Sequence, residues 1–121
     1  MNTENLSVLD REALLDRLGG DVDFLNEIAG LFMDDCPKLM DEIRNAVTEH
    51  DATALERSAH TLKGSVSNFG AERARLAALD LETMGRSHTL SNAEDAYKKL
   101  ESEIDRFQQA LGALAEELMS H

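Results

Sequence analysis

The residues with the clearest chemical potential lie close together near the middle of the chain. His60 is followed three residues later by Lys63, four later by Gly64 and seven later by Ser67. In a helix each residue turns the chain by about 100°, so these four side chains share one side. An imidazole nitrogen is a nucleophile near neutral pH, and a lysine one turn away can neutralise an anion carried on it.

Two further features single out this side of the helix. Glycine inside a helix costs about 1 kcal/mol relative to alanine, but Gly64 leaves the surface beside His60 open to a closely approaching partner. Residues 57–75 carry a net charge of +3 within a chain of net charge −12. Their basic residues are Arg57, Lys63, Arg73 and Arg75. A positive segment in an acidic protein predicts a site for an anion or an acidic surface.

Apolar residues recur at helical spacing through most of the chain and predict the elements that position this site. The long helices are expected over Asp21–Glu49, Asp51–Phe69, Ala71–Arg86 and Ser91–Leu118, after a short helix over Asp10–Leu18. Short connections between amphipathic helices favour antiparallel neighbours. We therefore predict an all-α fold: an antiparallel up-down four-helix bundle whose short extra N-terminal helix caps one end.

Local signals refine these helices. The apolar spacing keeps its phase through Pro37, so one kinked helix is expected there. Ser91 with Glu94 three residues later is a capping-box pattern for the last helix. The apolar residues of the fourth helix include Leu76, Ala77, Leu79, Leu81 and Met84, and Gly85 is expected to loosen its end. On the third helix the buried face contains Leu55, Ala59, Leu62, Val66 and Phe69.

Composition excludes several classes of function. The chain has 24 acidic residues against 12 lysines and arginines, which disfavours nucleic acid and anionic membrane as partners. No apolar run is long enough for a membrane span, and the N terminus lacks the pattern of a signal peptide. The single Cys36 permits no internal disulfide and no cysteine-based metal site. We expect one domain over residues 1–121, flexible over 1–9, cytoplasmic, monomeric and without a cofactor or metal.

The segment from Ala59 to Gly70 reads AHTLKGSVSNFG. It resembles the signature of histidine-containing phosphotransfer (Hpt) domains, in which His-x-Leu/Ile-Lys-Gly is followed six residues later by Gly. The Leu-Gly-Gly-Asp sequence at Leu18–Asp21 and the helix that contains Pro37 are also similar to this family. The resemblance extends from about Asp10 to Leu118.

The resemblance implies that His60 accepts a phosphoryl group from the aspartate of one response-regulator receiver domain and passes it to another. It implies that Lys63 helps to neutralise the phosphoryl oxygens and that Gly64 lets the receiver close over the site. Candidate binding residues at the flanks of the site are Arg57, Ser67, Phe69 and Gly70. Exposed apolar residues near His60 are expected to form the docking surface, with Phe32, Met33 and Phe69 as candidates that also fit the core.

A partner for the imidazole is expected on the neighbouring helix. In an antiparallel hairpin that turns at Gly70, Glu82 lies within about 3 Å of the level of His60 along the helix axis. Asp80 is also nearly level, and spacing alone does not choose between them. In Hpt domains this position often holds Gln, which hydrogen-bonds the imidazole. A carboxylate accepting from Nδ1–H would leave Nε2 as the nucleophile.

Three other functions remain open at this point. Glu82 and the Ser-Asn-Phe-Gly end of the motif also resemble the phosphoryl-accepting module of chemotaxis histidine kinases, in which the donor is a kinase domain. A non-catalytic adaptor bundle would explain the apolar faces but not Gly64 beside His60 and Lys63. A metal-binding bundle would need more ligands than Glu56 and His60. The chain itself has no nucleotide-binding glycine motif, so we predict a phosphoryl carrier without kinase activity.

Overall fold

The computed structural model describes residues 7–119, and this part of the chain folds into five helices without a strand. They are α1 (Arg11–Arg17), α2 (Val22–Glu49), α3 (Ala52–Ser67), α4 (Glu72–Arg86) and α5 (Ala93–Met119). Helices α2 to α5 pack in chain order, and α5 closes the bundle against α2. The predicted all-α bundle is confirmed, with most helix ends within two residues of their expected positions.

Aspartates begin the first three helices. Asp10, Asp21 and Asp51 each accept a hydrogen bond from the backbone N–H three residues later, which satisfies one of the unpaired donors of a helix N terminus. Helix α2 runs without interruption through Pro37, as its apolar phase predicted. The kink expected at Pro37 stays a prediction.

The last helix begins slightly later than expected. The Asn92 carbonyl accepts the first intrahelical hydrogen bond, from Ala96 N–H at 3.0 Å. The cap position is therefore Asn92, and the predicted capping box of Ser91 and Glu94 is wrong by one residue. A one-residue shift of this kind is common because either polar residue can occupy the cap.

The core contains the predicted faces of α2, α3 and α5. Three phenylalanines from different parts of the chain, Phe32, Phe69 and Phe107, meet with ring centroids 5.1 to 5.7 Å apart. Edge and tilted contacts of this kind are favoured between aromatic rings. The four buried side chains of α3 all belong to the face that its spacing predicted, and the fifth predicted residue, Phe69, is buried just after the helix ends.

Helix α4 does not bury all of its leucines. Leu76 and Leu79 are only partly buried and lie outside the core cluster. The buried face of α4 is formed instead by Ala74, Ala77, Ala78, Leu81, Glu82 and Gly85. Small residues occupy this face because α3 and α4 approach closely, so the larger leucines are displaced toward solvent.

Residues 7–9 of the N-terminal segment contact the bundle, and the flexibility expected for residues 1–9 stays a prediction. The Ser7 carbonyl accepts a hydrogen bond from Arg73 N–H at 3.2 Å, and Val8 and Leu9 pack against the core. The remainder of the predicted flexible segment, residues 1–6, lies outside the described residues. Helix α1 covers one end of the bundle and buries Leu14.

Candidate functional site

Helix α3 presents His60 to solvent, as its phase predicted. The neighbouring residues Ala59 and Leu62 are fully buried, whereas 68% of the His60 side chain is exposed. Gly64 lies one turn later, and a Cβ atom added there would have no other group within 4 Å. The surface beside the imidazole is therefore open to a partner.

Helix α4 supplies the imidazole with a buried carboxylate. Glu82 is only 1% exposed, and its Oε2 atom lies 2.9 Å from His60 Nδ1. Asp80 is exposed and, two residues away on the helix, points about 200° from Glu82. The geometry thus resolves the choice left by the sequence in favour of Glu82.

Glu82 also holds two basic side chains. Lys63 Nζ lies 2.7 Å from Oε1 in an ion pair that lacks hydrogen-bond geometry. Arg86 Nη2 donates a hydrogen bond to Oε2 at 2.7 Å. Burial raises the pKa of Glu82, but the close ion pair with Lys63 and the contact with His60 outweigh burial, so this pKa is lowered overall. Glu82 is therefore an anion at neutral pH.

The charge of Glu82 determines the orientation of the imidazole proton. An ionised carboxylate can only accept hydrogen bonds, so the hydrogen in the contact must come from His60 Nδ1. In the neutral ring the lone pair then belongs to Nε2. The arrangement holds a nucleophilic nitrogen on an exposed side chain and fixes it from the buried side.

A shallow cavity of about 420 Å³ adjoins the imidazole. Its walls come from α3 and α4 and contain Thr53, Glu56, Arg57, His60, Thr61, Glu82 and Arg86. Arg86 crosses it and donates from Nε to Glu56 Oε2 at 3.1 Å. Arg57 forms no ion pair within the described part of the chain. The cavity thus combines the nucleophile with two arginines.

Comparison with known proteins identifies this arrangement. A family model described as the Hpt domain matches residues 27–118, which is most of the chain. The chain belongs to the Hpt domain family. Members of this family are histidine phosphotransfer modules of phosphorelay signalling, and in general they carry phosphoryl groups rather than act as kinases.

Individual relatives agree with this assignment. Histidine-containing phosphotransfer protein 2 of Arabidopsis thaliana is 28% identical over 95 residues, which cover 70% of this chain and 61% of that protein. The crystal structure of histidine-containing phosphotransfer protein B (HptB) from Pseudomonas aeruginosa PAO1 matches with a TM-score of 0.83 at 24% identity. That match covers 90% of this chain and 95% of HptB, and it shows a shared fold.

Two site residues of this Hpt domain were missed by sequence reasoning. Arg86 follows Glu82 by four residues, a spacing that places both on one side of α4. Glu56 precedes His60 by the same interval on α3, and the sequence singles it out only as a potential metal ligand. The helical spacing was a usable signal for Arg86, but its pairing with Glu56 depends on how closely two helices approach.

Gly85 explains that close approach. A Cβ atom at Gly85 would lie 2.6 Å from the Glu56 backbone nitrogen and 2.7 Å from the Ala52 carbonyl oxygen. Such distances are not found for real side chains, so glycine is required for the observed packing of α4 on α3. The expectation that Gly85 loosens the helix end is wrong, because it lies within α4 and is buried.

The positive segment of the sequence does not form a positive surface. Lys63 pairs with Glu82, Arg73 pairs with Glu103 through two hydrogen bonds, and Arg75 pairs with Glu72. Glu82 and Glu103 lie outside residues 57–75, so the net charge of that segment does not include them. Among the four basic residues of the segment, Arg57 alone has no ion pair with any residue in 7–119, and it lies near His60.

The other predicted binding residues have mainly structural contacts. Ser67 Oγ donates to the Lys63 carbonyl at 2.7 Å, on the same side of α3 as His60. Phe69 is 3% exposed and belongs to the aromatic cluster. Gly70 has φ +67°, and a Cβ there would lie 2.7 Å from Asp10 Cβ. Their binding roles stay predictions, and packing alone accounts for Gly70.

An apolar groove runs along the opposite flank of α3. It lies between α1, α2 and the end of α3 and has a volume of about 450 Å³. Phe24 and Leu31, which are 46% and 58% exposed, line it, and Phe69 lies beneath. The candidates Phe32 and Phe69 are core residues and Met33 is partly buried, so Phe24 and Leu31 are the exposed apolar side chains here.

Two further properties of the described residues bear on function. No helix within residues 7–119 is both long and apolar enough to cross a membrane. The same residues contain no group of three or more histidine, cysteine, aspartate or glutamate side chains that could hold a metal ion. Cys36 is buried, and burial raises the pKa of its thiol to about 11.

Proposed function

We propose that this Hpt domain accepts a phosphoryl group on His60 Nε2 from the aspartyl phosphate of a receiver domain and delivers it to the aspartate of another. The observation that carries the proposal is the 2.9 Å contact between His60 Nδ1 and the buried, ionised Glu82. It leaves Nε2 with its lone pair on a side chain that is 68% exposed.

In the transfer step, the bond that forms at phosphorus is matched by the bond that breaks. His60 Nε2 attacks the phosphorus, the bond from phosphorus to the aspartyl oxygen breaks, and the donor regains its carboxylate. Positive charge that develops on the ring is stabilised by Glu82 through Nδ1–H. Return of the group to a second receiver is the reverse of this reaction. Because the receiver supplies the other reacting groups, this chain acts as a carrier.

The apolar groove gives the receiver a place to bind. The groove and His60 lie on different sides of α3, about half a turn apart around the helix axis. The exposed surface between them contains Gly64. A single receiver that covers this surface would contact Phe24 and Leu31 while its aspartate faces His60. We propose receivers as the occupants, in the cytoplasm, with this domain acting as a monomer.

A substitution of the acceptor tests the proposal. The protein is incubated with a receiver that has been phosphorylated with a small phosphodonor, and acid-labile phosphate on the Hpt chain is measured. We expect the wild type to be labelled and His60→Gln to carry no label. His88→Asn is the matched control, because His88 is exposed and its left-handed backbone tolerates asparagine. Equal labelling of His60→Gln would contradict the assignment.

A chemotaxis-type kinase as donor is the second candidate, and Glu82 is the observation that favours it. Hpt domains often have Gln at this position, whereas the chemotaxis modules resemble this chain in having Glu. The two candidates differ in the donor. Labelling by an isolated kinase core with ATP, in the absence of any receiver, would support the second candidate over the first.

A further inference from the structure

Arg86 is held at two points on the wall of the cavity beside His60. Its Nε donates to Glu56 Oε2 at 3.1 Å and its Nη2 donates to Glu82 Oε2 at 2.7 Å. Glu82 is buried, but 59% of the Arg86 side chain and 39% of the Glu56 side chain are exposed. Exposed pairs are weak, so the contact with Glu56 can open without disturbing the core.

The guanidinium lies beside the imidazole on its Nδ1 side, and this exposed side chain has to swing past the ring edge to bind a phosphoryl group on Nε2. Arg86 Nη2 and His60 Nδ1 both contact Glu82 Oε2, so these two nitrogens are no farther apart than the sum of 2.7 and 2.9 Å. Phosphorylation adds between one and two negative charges and several strong acceptor oxygens. A bidentate guanidinium is well suited to bind such oxygens.

Glu56 is placed to oppose this interaction. It lies one turn before His60 on α3 and lines the same cavity. Its carboxylate occupies Nε of Arg86, which a phosphoryl group would otherwise engage. Because α3 and α4 pack closely at Gly85, the backbone of Glu56 lies beside that of α4. The side chains of Glu56 and Arg86 therefore meet when both are extended.

We propose that Glu56 is a positioning residue that keeps Arg86 on carboxylates and so lowers the share of phosphoryl groups that remain on His60. The inference rests on the proposed function and adds a means by which the domain favours onward transfer. In the phosphorylated protein Arg86 leaves Glu56 and binds the phosphoryl oxygens. Glu56 competes for the same guanidinium and thereby weakens this stabilisation.

The equilibrium of transfer with one receiver measures the effect. Purified protein and receiver are mixed with a limiting amount of phosphorylated receiver, and the ratio of phosphohistidine to aspartyl phosphate is determined at low ionic strength. We expect Glu56→Gln to raise this ratio about two- to fivefold, the range expected for release of one exposed ion pair. Arg86→Gln should lower the ratio.

The double variant tests whether Glu56 acts through Arg86. With Arg86→Gln present, Glu56→Gln should no longer raise the ratio. An equal rise in both backgrounds would mean direct repulsion and would overturn the inference, as would no rise in the wild-type background. Asp80→Asn is the matched control, because it removes the same charge from an exposed side chain on the other side of α4.

A spectroscopic measurement separates positioning from a merely structural role. The ¹⁵N resonance of Arg86 Nε should shift when His60 is phosphorylated, because Nε leaves Glu56, and an unchanged resonance contradicts the inference. Failure of the proposed function would give a different result from failure of this inference, because His60→Gln would then carry as much label as the wild type. Normal labelling at His60 without an effect of Glu56→Gln contradicts the inference alone.

Discussion

At the scale of single residues, one buried carboxylate organises the site. Glu82 accepts from His60, pairs with Lys63 and accepts from Arg86. Removing a carboxylate from water is costly unless charged partners surround it, and here three groups do so. Lys63 therefore neutralises Glu82 in the unphosphorylated protein, and a phosphoryl group on His60 would have to compete for it.

Replacing Glu82 with Gln should destabilise the protein by about 1–3 kcal/mol at pH 7, because Lys63 loses its counter-charge in a largely buried position. The pKa of Glu82 is lowered in the folded protein, so its contribution to stability is complete above the unfolded value of about 4.3. This contribution is lost as the pH falls through the folded pKa. Denaturant unfolding at several pH values measures the difference.

The difference between the wild type and Glu82→Gln should therefore shrink below about pH 4. Asp80→Asn serves as the control, since Asp80 is exposed and surface substitutions usually change stability by about 0.5 kcal/mol or less. A deficit of the same size at every pH would show that the charge of Glu82 is unimportant for folding.

Much of the site was predictable from spacing on two helices. The positions of His60, Gly64 and Glu82 follow from about 100° of turn per residue and from the level of the hairpin. The role of Arg86 did not follow, because ion-pair partners depend on the distance between helices. For the same reason spacing did not reveal that Lys63 pairs with Glu82, and its role toward a phosphoryl group stays a prediction.

At the scale of elements, the separation of α3 and α4 decides which side chains meet. Gly85→Ala would place a Cβ 2.6 Å from Glu56 N, and both atoms nearest to it belong to the backbone. The two helices would have to move apart. We expect a loss of about 1–3 kcal/mol in the free energy of unfolding, together with weaker labelling of His60.

Gly64→Ala is the matched comparison, since both glycines lie inside helices. A Cβ at Gly64 meets nothing within 4 Å, so alanine should stabilise the isolated protein by up to about 1 kcal/mol. It should nevertheless slow transfer from a receiver, because the added methyl group stands beside His60. A stable Gly85→Ala variant, or a Gly64→Ala variant with normal transfer, would contradict this view.

The fold was more predictable than the packing of one helix. Apolar spacing identified all the helices, because a period near 3.6 residues reports which face is buried. It did not show which face of α4 is buried, because alanine and glycine form much of that face while Leu76 and Leu79 are only partly buried. Hydrophobicity does not reveal that two backbones approach closely enough to exclude a leucine.

At the scale of the whole molecule, the proposed function makes His60 and the groove one surface for a receiver. Leu31→Ser should reduce the rate of transfer at low receiver concentration about fivefold, because roughly half of this side chain remains available for burial. The melting temperature should change little, since Leu31 is exposed. Gly30→Ser is the control on the same helix, and equal effects of both variants would exclude the groove.

Helix α1 forms part of the groove wall through Arg17 and Leu18 but is only 7 residues long and buries Leu14 alone. It is joined to the bundle at its ends: Arg11 to Glu117, and Arg17 Nη1 to the Asn68 carbonyl at 3.1 Å. So short an element opens more readily than the long helices. If a receiver binds this groove as proposed, fraying of α1 and affinity for the receiver are linked, because each opening removes a wall of the groove and an occupied groove holds α1 closed.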